Sequence, residues 1–370
     1  MKRVLIILGT VVLGICAYSA WRSTRPALAS ATILLSGPAP RSDLAMVTEI
    51  VRSPDARLIA TISDSKTVKL WDAKTGQFLQ TLEGEKEWFF SPSFSPDSAL
   101  LATASSTSSF GKQYGHVQLW NPVTGGRVFT VDGIDWPQCV RFSPLGNFIA
   151  VGANSDLYVV DASTYTVVEH IQRPFESGVL LAMNFDPSAN LLATAGQNGT
   201  VKLWKMPLLE PVRTFSVVDP IVRVSVPGDE RGPVPAASVT FSHDGKLLAA
   251  NNAEGTVYIW DVASGDERMR YAYGELKRGE SLYASIRNSL AFTADDQWLV
   301  TTDRTGSGIR LLGVSSKAEI ATPLTTHGDA PIVSFDASLL DDTVAFAYGI
   351  YGANRPPAGK YEIWTLQPYR

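Results

Sequence analysis

The sequence predicts an all-β repeat fold, and three observations carry that expectation. A short alternating run recurs seven times along the chain. An apolar segment precedes each copy, and a turn rich in Pro, Asp and Gly precedes each apolar segment. Apolar and polar residues in alternation mark a half-buried strand.

The alternating runs are VKLWD (68–72), VQLWN (117–121), LYVVD (157–161), VKLWK (201–205), VYIWD (257–261), IRLLG (309–313) and YEIWT (361–365). Their bulky terminal residues run from Trp71 to Trp364 at intervals of 40 to 56 residues. The upstream strands read RLIATIS, ALLATAS, NFIAVGA, NLLATAG, KLLAANN, QWLVTTD and TVAFAYG. Before them stand the turns SPDA, SPDS, SPLG, DPSA, SHDG, TADD and a weaker DASL. There Pro supplies a fixed φ, Asp bonds its side chain to nearby backbone, and Gly supplies positive φ. Each turn follows an apolar anchor, at Phe94, Phe142, Phe185, Phe241, Phe292 and Phe335, with Arg52 in that slot of the first repeat. We call the anchor-bearing strand a, the upstream strand b, the alternating run c, and the strand that follows it d.

With its FSPDG-like turn, LLAT-like strand and terminal Trp-Asp, the chain resembles the WD40-repeat family over about residues 32–365. Each such repeat must stack on its neighbours to bury its faces, so seven in tandem make a specific signal. The resemblance implies a seven-bladed β-propeller with four strands per blade. It also implies that Thr32-Ile33-Leu34-Leu35 supplies strand d of the last blade, because YEIWTLQPYR leaves almost nothing for that strand at the other end. The ring is then closed by pairing of the N-terminal strand with the last blade. The chain departs from the family in two ways. None of His116, His170, His243 or His327 holds the place of the family's buried His, and Val160 and Leu312 replace the terminal Trp. The blades are therefore expected to rest on apolar packing more than on buried polar networks.

The domain reading is a targeting segment over 1–29 followed by the propeller over 30–370. Lys2 and Arg3 precede an uncharged run from Val4 to Tyr18, and Ala17-Tyr18-Ser19 and Ala27-Leu28-Ala29 are sites of A-x-A type. This is the build of a secretory signal. Extended to Trp21, the run is also close to the roughly 20 residues that span a bilayer, so a single uncleaved anchor is the competing reading. Either way the propeller is expected outside the cytoplasm, periplasmic or held at the membrane.

The net charge of −4 becomes −8 without residues 1–29, which excludes a nucleic-acid binder that works through bulk charge. Cys139 would then have no partner within the chain, so neither a disulfide framework nor a disulfide-linked partner is expected. It reads as a buried small hydrophobe.

Extra residues concentrate at one end of the repeats. Between strands b and c lie SSTSSFGKQYGH (105–116) and GIYGANRPPAGK (349–360), and between d and the next a lie 216–236 and 266–286. In the family these connections share one face, while the a–b and c–d turns occupy the other. Loops on a rigid scaffold commonly carry binding, and Tyr, Trp and Arg are favoured at hot spots. The candidate partner-binding residues are Trp88, Trp136, Tyr114, Arg223, Arg231, Tyr273, Arg278, Tyr351 and Arg355. Trp88 and Trp136 each stand six residues before an anchor Phe, near the channel mouth. The alternative is that both tryptophans plug gaps between blades and the others pack on loop backbone.

No catalytic motif occurs: HExxH, CxxC, GxSxG, GxGxxG and a phosphate loop are all missing. Asp72, Asp161 and Asp261 read as structural turn formers, and Asn198-Gly199-Thr200 reads as a tight turn. No cofactor and no metal are expected. The sequence points to a non-catalytic envelope scaffold that binds a protein, peptide or other ligand. The alternative is a propeller enzyme, lactonase-like or quinoprotein-like, with its site at the channel mouth.

Overall fold

A computed structural model describes residues 28–38, 47–63, 66–82, 84, 88–109, 112–175, 178–217, 236–253, 255–272, 290–302, 308–316, 319–323, 332–337, 343–349 and 359–368. All regular structure among them is β. Blade 1 comprises Val47–Arg52, Leu58–Ser63, Thr67–Asp72 and Phe78–Leu82. Blade 2 comprises Trp88–Phe94, Leu101–Ser109, Lys112–Trp120 and Arg127–Val131. Blade 3 comprises Pro137–Phe142, Phe148–Ala153, Asp156–Asp161 and Val167–Ile171. Blade 4 comprises Leu180–Phe185, Leu191–Gly196, Thr200–Lys205 and Glu210–Ser216. Blade 5 comprises Ala236–Phe241, Leu247–Asn252, Val257–Asp261 and Glu267–Tyr271. Blade 6 comprises Leu290–Phe292, Trp298–Thr302, Gly308–Gly313 and Glu319–Pro323.

Each of these six sheets is an antiparallel meander of consecutive strands a-b-c-d, and together they form a β-propeller. The repeat count predicts seven blades, whereas the chain builds six from its own consecutive strands. The repeat that ends at Trp364 makes no such blade. It gives three strands, Ile332–Ala337, Thr343–Gly349 and Gly359–Pro368, to a composite sheet whose fourth strand is Leu28–Pro38. Thr32 pairs with Thr365, Ile33 with Trp364 and Leu35 with Ile363. The composite sheet lies between strand a of blade 1 and strand a of blade 6. Its first strand begins at Leu28, two residues before the boundary expected at residue 30.

The anchors close strand a as the spacing predicts, and Phe94, Phe142, Phe185, Phe241 and Phe292 are all buried. A side-chain clasp then reverses the chain. The Ser53 hydroxyl donates to Asp55 Oδ1 (2.7 Å) and accepts the Leu58 N–H (2.9 Å). The same clasp recurs at Ser95 with Asp97, Ser242 with Asp244 and Thr293 with Asp295. In blade 4 Asp186 replaces the hydroxyl and takes the Leu191 N–H directly (2.5 Å).

Strand c ends in a second recurrent device. Asp72 Oδ1 accepts from the N–H groups of Lys74 and Thr75, at 3.0 and 2.7 Å. Asn121 and Asp161 do the same in their blades, and Asp261 accepts the Ser264 N–H. These side chains mimic a backbone turn, which accounts for the Asp or Asn that closes strand c in blades 1, 2, 3 and 5. Asn198 likewise turns strand b into c in blade 4, with Gly199 at φ +77°.

These turn bonds set an expected pH response. The Ser163 hydroxyl, with the N–H groups of Thr164 and Ser163, holds Asp161 at about 2. Lys246 holds Asp244 at about 2, and the Ser264 N–H followed by Arg268 does the same for Asp261. A carboxylate depressed on folding contributes stability that is full above its unfolded pKa of roughly 3.9 and is lost as pH falls through the folded value. Melting temperature is expected to fall between about pH 4 and pH 2. The combined Asp161→Asn, Asp244→Asn and Asp261→Asn variant should show a shallower fall over that window.

The core runs between adjacent sheets. Ile59, Leu70, Leu101, Leu119, Leu203 and Leu248 are fully buried in strands b and c. Polar bonding is retained more than the missing histidines suggest. The indole N–H groups of Trp71, Trp120 and Trp204 donate to Thr61, Thr103 and Thr194 at 2.9, 2.9 and 2.8 Å. The Thr of the LLAT-like strand is thus the partner of the terminal Trp one strand away.

The insertions resolve differently from one another. Residues 105–116 are no loose loop: strands b and c of blade 2 run on as a long hairpin, paired to Ser109 opposite Lys112. In blade 5, Glu267–Tyr271 is strand d, so the 266–286 segment begins as sheet. Tyr271 is accordingly a core residue: its hydroxyl donates to Gly313 O (2.6 Å), and burial pushes it up to about 12. Residues 218–235, 273–289 and 350–358 lie outside the described residues.

Candidate binding face and channel

Trp88 opens strand a of blade 2, opposite Ser106 of strand b. Its ring is 45% exposed, so it does not plug a gap between blades. Lys66, in the b–c turn of blade 1, places its ammonium 4.8 Å from the ring centroid. A cation over an indole face is attracted by the ring quadrupole.

One level across the same face, Ser106 pairs with Gly115 on strand c. A Cβ at Gly115 would collide with Pro137 Cδ and stand 3.1 Å from the Trp136 nitrogen. Only glycine lets the d–a connection into blade 3 press so close. Trp136 sits in that connection at φ +55°, a conformation unfavourable for a bulky side chain. It is held there by its carbonyl, which accepts the Asn154 N–H (3.1 Å) from the b–c turn of blade 3. Trp88 is therefore exposed, and Trp136 partly buried, on the b–c/d–a side of neighbouring blades. Backbone strain of this kind persists where surrounding structure over-determines it.

Polar groups lie around them on the same side. His116 Nδ1 stands 3.4 Å from Asp132, and His170 Nε2 stands 3.0 Å from Asp156. His170 also stacks on Tyr158 with centroids 4.0 Å apart. Tyr114 pairs with Thr107 along the extended hairpin of blade 2. Arg223, Arg231, Tyr273, Arg278, Tyr351 and Arg355 fall outside the described residues.

The sequence reading missed the other end of the ring. A cavity of about 480 Å³ opens on the axis toward the a–b turns. The residue just before each anchor points into it: Val51, Ser93, Arg141, Asn184, Thr240 and Ala291. That position could have been read from the anchors, since strand residues alternate sides. Arg141 is committed to structure, with Nη1 donating to Ser91 Oγ (2.9 Å) and Val140 O (3.0 Å). Asn184 donates to Thr240 Oγ1 (3.3 Å). Cys139 is buried beside this layer, as expected, with Ser91 Oγ 3.7 Å from its sulfur. Among the described residues no three His, Cys, Asp or Glu side chains converge.

The family model for the WD domain, G-beta repeat, matches residues 36–72, 164–205 and 226–261. Each match ends where strand c does, on Trp71-Asp72, Trp204-Lys205 or Trp260-Asp261. The chain carries WD40 repeats. Among its relatives is the protein LST8 homolog of Drosophila melanogaster, 25% identical over 256 residues that cover 68% of this chain and 74% of that protein. The telomerase protein component 1 of Rattus norvegicus is 26% identical over 263 residues, 71% of this chain and 9% of that protein. The actin-interacting protein 1 of Drosophila melanogaster is 22% identical over 266 residues, 71% of this chain and 41% of that protein. This WD40 chain thus spans about three quarters of the first relative and less than half of the other two.

Proposed function

We propose that this WD40 protein is a non-catalytic scaffold of the cell envelope that binds a protein or peptide partner on its b–c/d–a face. The carrying observation is the pair of tryptophans on adjacent blades, Trp88 exposed beneath a lysine and Trp136 held at positive φ. Aromatic anchors of this type dominate interfaces, and a rigid sheet presents them at little entropic cost. A relative named for interaction with actin is consistent with a protein ligand. The candidate residues in the long connections, Arg223, Arg231, Tyr273, Arg278, Tyr351 and Arg355, would flank the pair as polar contacts. The composite sheet completes the ring as a seventh blade and keeps this face rigid. Residues 1–29 direct the chain out of the cytoplasm, as a cleaved signal or as a single anchor.

Two measurements test the reading. A partner crosslinked and purified from envelope extract is titrated against the protein. Trp88→Ala and Trp136→Ala should each weaken binding by about 2 kcal/mol, roughly thirtyfold, while Lys74→Ala on the opposite face changes nothing. If the tryptophan variants melt lower but bind equally well when folded, these residues are structural. For the address, a reporter active only outside the cytoplasm is fused after Arg370, and activity confined to the cytoplasm rejects export.

A further inference from the structure

The a–b/c–d face carries an unexpected apolar display. Three turn tips are the most exposed large apolar residues among those described: Val123 at 80%, Leu145 at 67% and Leu208 at 62%. They occupy consecutive blades: the c–d turn of blade 2, the a–b turn of blade 3 and the c–d turn of blade 4. A second series lies beside them. In blades 1–5 strand d carries one extra residue opposite the end of strand c, and in blades 1–4 that bulge residue is Leu79, Val128, Val168 or Val212. All four are about half exposed. In blade 5 the same bulge position is Arg268, bonded to Asp261. The turns of blades 5 and 6 are also charged, with His243 on Asp296 and Lys246 on Asp244. Among the described residues the apolar sector is therefore confined to blades 1–4.

The chain direction supplies the occupant. Strand Leu28–Pro38 runs antiparallel to strand c of the composite sheet, with Leu28 opposite Pro368. That end of strand c lies beyond Thr365, which faces Thr343 at the start of strand b. Leu28 thus stands on the a–b/c–d face. Only nine residues, Ser19 to Ala27, separate Leu28 from the uncharged run that ends at Tyr18. Fully extended, nine residues reach about 30 Å. A bilayer holding that run must therefore lie close beneath this face. The composite sheet sits between blades 1 and 6, which puts blades 3 and 4 across the ring from the tether.

We infer that the a–b/c–d face of the propeller rests on the membrane surface, tethered at the composite sheet and seated across the ring by Val123, Leu145 and Leu208 in the lipid interface. This deepens the anchored form of the reading above and rests on it. Apolar tips on short turns enter the boundary between headgroups and acyl chains, where polar turn backbone remains hydrated. The exposed charges of this sector are of both signs, Asp97 with Arg127 and Lys205, so the favoured surface is zwitterionic. The arrangement leaves Trp88 and Trp136 facing away from the bilayer, toward a partner.

The test uses the full chain carrying Cys16→Ala, reconstituted in phosphatidylcholine vesicles, with Cys139 protected by burial. An environment-sensitive fluorophore is placed through Val123→Cys, Leu145→Cys or Leu208→Cys, and through Asp132→Cys on the opposite face. With headgroup-nitroxide lipid, emission from the three tips should fall by about half or more, as expected for groups 5–10 Å into the interface, while that from position 132 stays constant. Quenching at position 132 instead, or at none of the tips, overturns the orientation in a protein that remains anchored. A blue-shifted tip signal without lipid quenching shows that a second copy or another protein covers the sector, which also overturns it. Release of the chain by alkaline carbonate wash rejects the anchor, and this inference with it.

Discussion

Removing residues 28–38 is expected to cost the propeller most of its stability. The strand pairs with Gly359–Pro368 at nine positions, from Leu28 opposite Pro368 to Pro38 opposite Lys360. At roughly 1 kcal/mol net for each hydrogen bond, the loss is on the order of 5 kcal/mol, comparable with the whole stability of many domains. Strand c of the composite sheet would also become an unpaired edge, which invites pairing with other chains. Thermal melting and light scattering on the deletion variant should show a large fall in midpoint together with aggregation. Adding the 28–38 peptide in trans should recover part of the midpoint. A variant that melts where the intact protein does would remove the case for closure by this strand. Deletion of residues 2–27 alone should leave the midpoint in place, because none of them belongs to the described sheet.

The second large effect is expected at Trp120, the largest fully buried side chain among the described residues. Its ring meets Phe89 edge-on at 6.3 Å, and its N–H donates to Thr103. Trp120→Ala should cost about 3–5 kcal/mol through lost burial and the cavity left behind. Thr103→Val should cost about 1–3 kcal/mol, because it leaves the indole N–H buried without an acceptor. In a cycle built on Trp120→Phe and Thr103→Val, the double variant removes both partners and should lose less than the sum of those two single changes. Denaturant unfolding of the four proteins measures that coupling. Strict additivity would mean that the Trp–Thr bond contributes nothing beyond packing. Blade 3 shows that the bond is dispensable in a different setting, since buried Val160 fills the same place with no polar atom.

The blade strands were legible because their signals are local. Strand c reads as alternation, strand b as an apolar run, and the turns as side chains that bond their own backbone. Asp72, Asp161 and Asp261 could be assigned to turns from spacing alone, and their hydrogen bonds agree. The bonding of Trp71, Trp120 and Trp204 to a Thr was harder to see, because it joins residues ten or seventeen apart across a sheet. The 266–286 segment was counted as a connection although it begins as strand d, because strand d carries little apolar pattern: in blades 1–5 its first residues are exposed. The extra residues at 105–116 looked like a loop by count, yet paired as hairpin, since an insertion can be absorbed by lengthening both strands equally.

The candidate site divides in the same way. The sequence alone singled out Trp88 and Trp136 from their distance to an anchor Phe, because that distance fixes how far along strand a a residue lies. It could not show that Lys66 covers one ring, or that Gly115 allows the other to sit at positive φ. Those contacts join neighbouring blades. The apolar tips Val123, Leu145 and Leu208 were equally invisible, each a single residue in an ordinary turn. What the sequence determined was the repeat, the strand order and the turn chemistry, all set by interactions within a few residues. The family resemblance also supplied the closing strand, which the register bears out; what the tertiary structure decided was which exposed residues share a face and which side chains meet between neighbouring blades. Both depend on where the ring brings distant segments together, and no local pattern encodes that.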